Sequence, residues 1–402
     1  MNRRGGAFDQ GLRALPRTVW ILGLISLLND SASELVYPLV PLYLTAVLGA
    51  GPRALGVIEG IAEAVGSLFK LVSGVLSDRT RSTKPWVVTG YGAAAAARPL
   101  LALAGTWPVV LVLRFVDRLG KGVRTAPRDA LLSLSTGAHQ RGLAFGLHRA
   151  MDNAGAVIGP LLAAALLAGH FPVREVFLWA AVPGALTVAL ALSLREPDRP
   201  EAVATQTFRW SLKGLPPSFG RYLLAVGLFT LGNSSNMFLL LRARDMGLAE
   251  FQVPLLWAAT SATAAVLSTP LSALSDRVGR IRLIAGGWLI YALFYLLMGL
   301  DSTSTTLLWP LFAVYGLSMA ATEGAERALV ADLVPAWAAG RGYGWFNLVA
   351  GITLLPASLV FGGLWEWAGP ATAFGFGAGC ALVATALLAA WVRAPDTSGE
   401  SA

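Results

Sequence analysis

Two carboxylates and a phenol, Asp30, Glu34 and Tyr37, interrupt an apolar run near the start of this chain. Their spacings of four and three place them on one helical face. An ionisable group inside a bilayer is costly unless paired or wetted, so such a face must look into a cavity. It reads as a substrate or cation site near the midplane; the alternative is a polar seam bonded to a neighbouring helix. A second apolar run repeats the device, with Glu59, Glu63, Gly66 and Lys70 on one stripe. Acids in an apolar cavity suit reversible protonation, which leaves Glu63 open between a proton carrier and a structural ion pair.

The opposite sign follows. Arg98 lies deep in the next run, and Arg114, Asp117, Arg118 and Lys121 descend the one after. An arginine there can clamp an anionic substrate by paired hydrogen bonds. An Asp117–Lys121 pair along the helix is the structural alternative. Further on, His148 and Asp152 share a face and read as a His–Asp pair; two such groups do not make a metal site, and no metal is expected. Gly155 and Gly159 form a GxxxG step for close helix packing, with Pro160 beside it. The second half is plainer: Asn233 to Asn236 stand where the first half carries acids, and Glu323, Glu326 and Arg327 follow.

The elements that must position these groups are transmembrane helices. Over half of the 402 residues are hydrophobic and 13% are charged, against roughly a quarter charged in soluble domains. A span needs roughly 20 mostly apolar residues. That yields helices near 18–46, 54–76, 85–104, 107–126, 142–166, 174–194, 221–241, 250–274, 283–300, 306–330, 342–366 and 371–392. The first could mimic a secretory signal, but apolar character resumes after Ser33, so it reads as uncleaved. Arginines and lysines crowd one set of loops, which places both termini in the cytoplasm. The net charge of +8 is therefore a topology signal and not a nucleic-acid surface. One cysteine, Cys380, excludes disulfide frameworks.

The chain repeats itself. Leu76-Ser77-Asp78-Arg79 returns as Leu274-Ser275-Asp276-Arg277, an offset of 198 residues. Arg128-Asp129-Ala130-Leu131 returns as Glu326-Arg327-Ala328-Leu329 at the same offset. Two matches at one offset imply two homologous six-helix halves, 1–194 and 221–402, joined by a polar linker at 195–220.

Gly74-Val75-Leu76-Ser77-Asp78-Arg79 resembles the loop signature Gly-x-Leu-Ala-Asp-Arg of the major facilitator superfamily, and the resemblance covers the whole chain. The first copy carries Thr80-Arg81 where that family has a residue and then glycine, while the second keeps Gly279 before Arg280. The run from Asp117 to Asp129 looks like a bacterial branch that includes drug- and metal-resistance exporters. The resemblance implies an all-α membrane fold of two pseudo-two-fold-related six-helix bundles. It implies that Gly74, Asp78, Arg79, Arg128, Asp276, Arg277 and Arg280 help gate the halves, and that Arg114 occupies a basic position linked to proton coupling. Gly155, Gly159 and Pro160 resemble the family's antiporter signature, which favours export.

The expectation is a monomeric secondary transporter of the bacterial inner membrane, moving a small drug, metal or organic ion against protons. Asp30, Glu34, Tyr37, Glu63, Arg98, Arg114, Asp117, Asp152, Asn233, Asn236 and Glu323 would form its pathway. Charge concentrates in the first half, so that half would couple to protons while the second shapes the pocket. No phosphate-binding loop or cofactor motif occurs, so the energy should come from an ion gradient. A membrane hydrolase, a passive channel and a proton-symport importer are the alternatives; Gly316-Leu317-Ser318-Met319-Ala320 lacks the second glycine of a nucleophile elbow.

Overall fold

The computed structural model describes residues 14–80, 82–137, 140–196, 212–300, 304–335 and 338–392. Among these, helices and short turns form everything and no strand occurs. The helices are α1 (Arg17–Val47), α2 (Pro52–Thr80), α3 (Lys84–Leu100), α4 (Trp107–Leu134), α5 (Arg141–Ala168) and α6 (Val173–Ser193). Then come α7 (Pro217–Asp245), α8 (Gln252–Val278), α9 (Arg280–Gly299), α10 (Thr305–Leu333) and α11 (Ala339–Trp391). Gly369 interrupts α11 with φ 83°, a left-handed bend that the missing Cβ permits, so α11 is two arms.

Seven of these helices, α1, α5, α6, α7, α9, α10 and α11, are long and apolar enough to cross a membrane by length and composition. The others include α3, with 17 residues, and α4, which carries Arg114, Asp117, Arg118, Lys121 and Arg124 along its length.

Packing gathers the chain into two compact units. One holds residues 1–39 and 68–207; the other holds 40–67 and 208–402. Grouping by packing thus departs from division by sequence repeat in one segment, residues 40–67. In the first unit glycines set the helix crossings. A Cβ on Gly155 would stand 2.5 Å from the Leu27 carbonyl oxygen, and one on Gly159 2.5 Å from that of Ser31, so α5 lies directly on α1. Gly90 and Gly120 do the same for α3 and α4. In the second unit Gly362 on α11 meets the Pro52 carbonyl at 2.7 Å by the same measure, and Gly316 on α10 meets that of Thr260 at 2.6 Å.

Neither first helix of the two sequence halves is continuous. In α1 a 3-10 turn over Tyr37–Leu39 contains Pro38, and Pro41 stands between it and a π turn over Tyr43–Val47. Proline supplies no amide hydrogen and clashes with the preceding turn, so the ladder must re-form around it. In α7 the α-helix stops at Gly232 and restarts at Met237. Residues 35–38 and 233–236 stand at the 198-residue offset, so both halves break their first helix at the same place in the repeat.

Candidate functional site

In the first unit the charges of α3 and α4 converge on α1. Arg98 donates through Nε to Asp117 Oδ1 at 2.9 Å and through Nη1 to both oxygens of Asn29 at 3.0 Å. Arg114 Nη1 reaches Asp117 Oδ2 at 3.3 Å. Its guanidinium also lies 5.8 Å from the ring centre of Tyr37. Arg98, Arg114, Asp117 and Arg118 are all buried. Asp117 therefore pairs across to α3 and back along α4. It does not pair with Lys121, which is exposed, so the expected Asp117–Lys121 pair is corrected. In a buried seam these attractions are strong, but so is the cost of breaking them.

One turn along α1, Asn29 Nδ2 donates to Asp30 Oδ1 at 2.7 Å. The Asp30 carboxyl lies within hydrogen-bonding reach of Asp152 on α5. Asp152 also accepts from Ser26 Oγ at 2.7 Å and lies 3.7 Å from Arg149 Nη1. The expected His148–Asp152 pair is thus replaced: Asp152 is held by Ser26 and Arg149, and His148 Nε2 is buried without a hydrogen-bond partner. Two carboxyls can share a hydrogen bond only if a proton sits between them. Gly155 and Gly159, with Pro160, make this contact possible by bringing α5 onto the backbone of Leu27, Ser31 and Leu35. Glu34 is half-buried on the same helix.

The second unit builds a polar site at the break in α7. Asn233 N caps the first segment by donating to Phe229 O at 2.9 Å, and Tyr291 Oη donates to Gly232 O at 3.0 Å. Ser235 Oγ donates to Glu59 Oε2 at 3.1 Å, and Asn236 Oδ1 accepts from Tyr315 Oη at 2.5 Å. Glu59 is completely buried. The break in α7 brings the Ser235 hydroxyl to it. Around the break runs an aromatic stack: Phe229 on Trp288 at 4.4 Å, Tyr291 on Tyr295 at 4.1 Å, Phe294 on Tyr315 at 4.7 Å. Glu63 belongs to this unit and is half-buried, whereas Glu323 is exposed on α10. An apolar groove of about 500 Å³, lined by Leu223, Gly227, Leu231, Trp345 and Val349, runs along the packed helices α7 and α11.

The loop residues fall out unequally. Gly74, Asp78 and Arg79 lie in α2, but their side chains are outside the described residues. Arg128 pairs with its neighbour Asp129 at 2.8 Å. In the second copy Arg280 bonds Asp276 at 2.5 Å, Ser275 Oγ at 2.6 Å and Asp332 at 3.0 Å, while Arg277 is exposed. Gly279, at φ 96°, makes the sharp turn. In the first copy Glu196, just after α6, accepts from Ser82 Oγ at 2.9 Å, Thr83 Oγ1 at 2.7 Å and the Thr83 amide. Burial alone would raise its pKa, but these donors outweigh burial and lower it.

A helical chain with buried ion pairs and broken apolar helices is a multi-pass membrane protein of the transporter class. The Major Facilitator Superfamily family model matches residues 19–241 and 222–402, and the chain belongs to that family. It is 33% identical to an uncharacterized MFS-type transporter of Methanocaldococcus jannaschii over 94% of this chain and 95% of that one. It is 27% identical to the multidrug resistance protein MdtH of Edwardsiella ictaluri, covering 83% and 82% of the two chains. Its fold matches the crystal structure of the nucleoside transporter NupG at a TM-score of 0.75, with 15% identity over 94% of this chain and 100% of that chain. The protein is thus a transporter and not an enzyme.

Proposed function

We propose that this protein is a proton-coupled secondary transporter that exports a small solute by alternating access. In this reading α1–α10 and the two arms of α11 make twelve spans, arranged as six-helix halves at 1–194 and 221–402 with a linker at 195–220 and both termini in the cytoplasm of a bacterial cell. It works as a monomer in the inner membrane. The observation that carries proton coupling is the Asp30–Asp152 carboxyl contact between α1 and α5. A shared proton there can leave when the pair is exposed to the more alkaline side. Arg98, Arg114, Asp117, Glu34 and Tyr37 complete that half of the pathway. Asn233, Asn236 and Glu63 serve the other half, with Glu323 at its surface. Arg128, Asp276, Arg277 and Arg280 act with Gly74, Asp78 and Arg79 at the gates.

Export is supported by the Gly155, Gly159 and Pro160 step and by the relative named as a multidrug resistance protein. The apolar groove between α7 and α11 suits a lipophilic solute, since ligand pockets span roughly 300–1,000 Å³ and are mostly apolar. The test uses proteoliposomes with an internal pH dye, challenged with a panel of drugs, metal ions and small organic ions under an imposed pH gradient. A substrate should move protons with the wild type and not with Asp30→Asn or Asp152→Asn. Unchanged proton movement in both variants would falsify the coupling assignment.

A further inference from the structure

Arg124 stands on α4 two turns beyond Asp117, and its side chain is almost completely buried. The guanidinium lies 4.4 Å over the Tyr91 ring of α3, yet Nε and Nη1 meet no hydrogen-bond acceptor, and neither does the Tyr91 hydroxyl. A guanidinium keeps its charge and carries five N–H donors, so burying the three on Nε and Nη1 unused is costly. The arginines around it are spent: Arg98 on Asn29 and Asp117, Arg128 on Asp129. Nor can the α4 backbone move Arg124 away. Gly90 and Gly120 bring α3 and α4 together so closely that the Arg124 Cβ lies against Gly90.

Asp30 of α1 is within its electrostatic reach. Asp30 is turned instead toward Asp152 of α5, with Asn29 at its side and Lys121 as the second cation of α4 that it feels. Arg124 in turn feels Tyr91 and Arg98 of α3 and Arg128 of its own helix. Asp152 has its own partners in Ser26, Arg149 and the field of Arg128.

We propose that Arg124 is the second partner of Asp30, the counter-ion that receives its carboxylate when the Asp30–Asp152 pair gives up its proton. The protonated pair carries one negative charge. Breaking one O–H bond sends the proton to water and leaves two carboxylates. Asp152 stays with Ser26 and Arg149, and Asp30 takes one of the unused donors of Arg124, on Nε or on Nη1, in a charge-assisted hydrogen bond. The positive charge is thus placed in advance where the second negative charge will form. Arg124 is a positioning residue: it acts through Asp30 and need not touch the solute. The same idea gives the Gly120–Arg128 stretch a task beyond setting topology.

This inference rests on the proton-coupled reading, and its test separates the two. Full-length protein in nanodiscs is titrated while the infrared carbonyl band of protonated carboxyls is recorded. The wild type should show a band that fades as pH rises, and Asp30→Asn and Asp152→Asn should each remove it. Arg124→Gln should keep the band but hold it to a pH higher by about one unit or more, since an opposite charge within ~4–6 Å shifts a carboxyl by roughly 1–3 units. Arg124→Lys should bring the titration most of the way back, which a purely structural role would not require. If Arg124→Gln fades with the wild type while Asp30→Asn lacks the band, the counter-ion role is overturned and the proton site stands. If the band survives both aspartate substitutions, the proton site itself falls.

Discussion

Helices α4 and α10 occupy equivalent places in the sequence repeat and solve the same packing problem with different chemistry. At the 198-residue offset, Arg114 and Asp117 of α4 correspond to Phe312 and Tyr315 of α10. The first pair belongs to a buried network of Arg98, Asp117 and Arg114. The second belongs to a stack in which Phe294 lies 5.4 Å from Phe312 and 4.7 Å from Tyr315. The difference is one of task. Aromatic rings fill a seam with area and fixed geometry and ask for a single partner at the hydroxyl. Buried charges pack no better and cost more, and removing one partner leaves the other charge buried and unpaired. At these equivalent positions one seam is held by buried charges and the other by stacked rings.

The largest expected effect removes the hub of the charged seam. Asp117→Asn takes from Arg98 and Arg114 the carboxylate that both bind, and breaking a buried pair costs about 3–5 kcal/mol. Thermal unfolding in mild detergent should show a large loss, and transport should vanish with it. A loss no greater than that of an ordinary surface change would erase the contrast between the seams.

Next come the glycines of the crossings. Gly155→Val puts a side chain against the Leu27 carbonyl and the Asp30 Cβ, and overpacking of this kind costs about 1–3 kcal/mol. Gly316→Val in α10 meets the Thr260 carbonyl and should lose a similar amount. The two should part in function: the first displaces Asp30 and alters the pH dependence of flux, while the second lowers flux at every pH alike. Gly146→Ala on α5, with open space around its position, is the control and should match the wild type or slightly exceed it in stability.

Tyr315→Phe probes the aromatic side. It keeps the stack on Phe294 and removes the hydrogen bond to Asn236, worth about 1 kcal/mol. A loss as large as that of Asp117→Asn would mean the hydroxyl is as central to its unit as the acid is to the other.

Much of this was legible in the sequence, because helical periodicity and internal repeats are properties of one chain read in order. Asp30 and Asp152, Gly155 and Gly159, Arg98 and Arg114 could all be singled out that way. Their partners could not. Spacing along α4 offers Asp117 a mate at Lys121, but the better geometry comes from Arg98 of another helix. Nothing in the local pattern says that α7 unwinds over Asn233–Asn236, so the burial of Glu59 against Ser235 was invisible. In the sequence Arg124 is one more basic residue in the run from Asp117 to Asp129; its buried, unused donors over the Tyr91 ring are visible only in the fold.

The smallest effect concerns the two copies of the signature loop, which are clasped differently. The second turns at Gly279 and ties Arg280 to Asp276 and Asp332. The first has Arg81 at the equivalent place, and the residues after it, Ser82 and Thr83, are instead gathered by Glu196. Four donors to one carboxylate, the Lys84 amide among them at 3.5 Å, hold the Glu196 pKa below its ordinary value of 4.5 despite partial burial. A depressed carboxyl stabilises above its unfolded pKa and loses that contribution as pH falls through its folded one. Protection of the Thr83 amide, its exchange rate taken relative to the intrinsic rate at each pH, should therefore be high at neutral pH and fall as the medium is acidified below about 4.5. Glu196→Gln should lower that protection at neutral pH and flatten the acid dependence, because the amide accepts more weakly and does not titrate. Amides around Arg280 should ignore that substitution. If they respond equally, the two clasps are one device and the distinction between the loops fails.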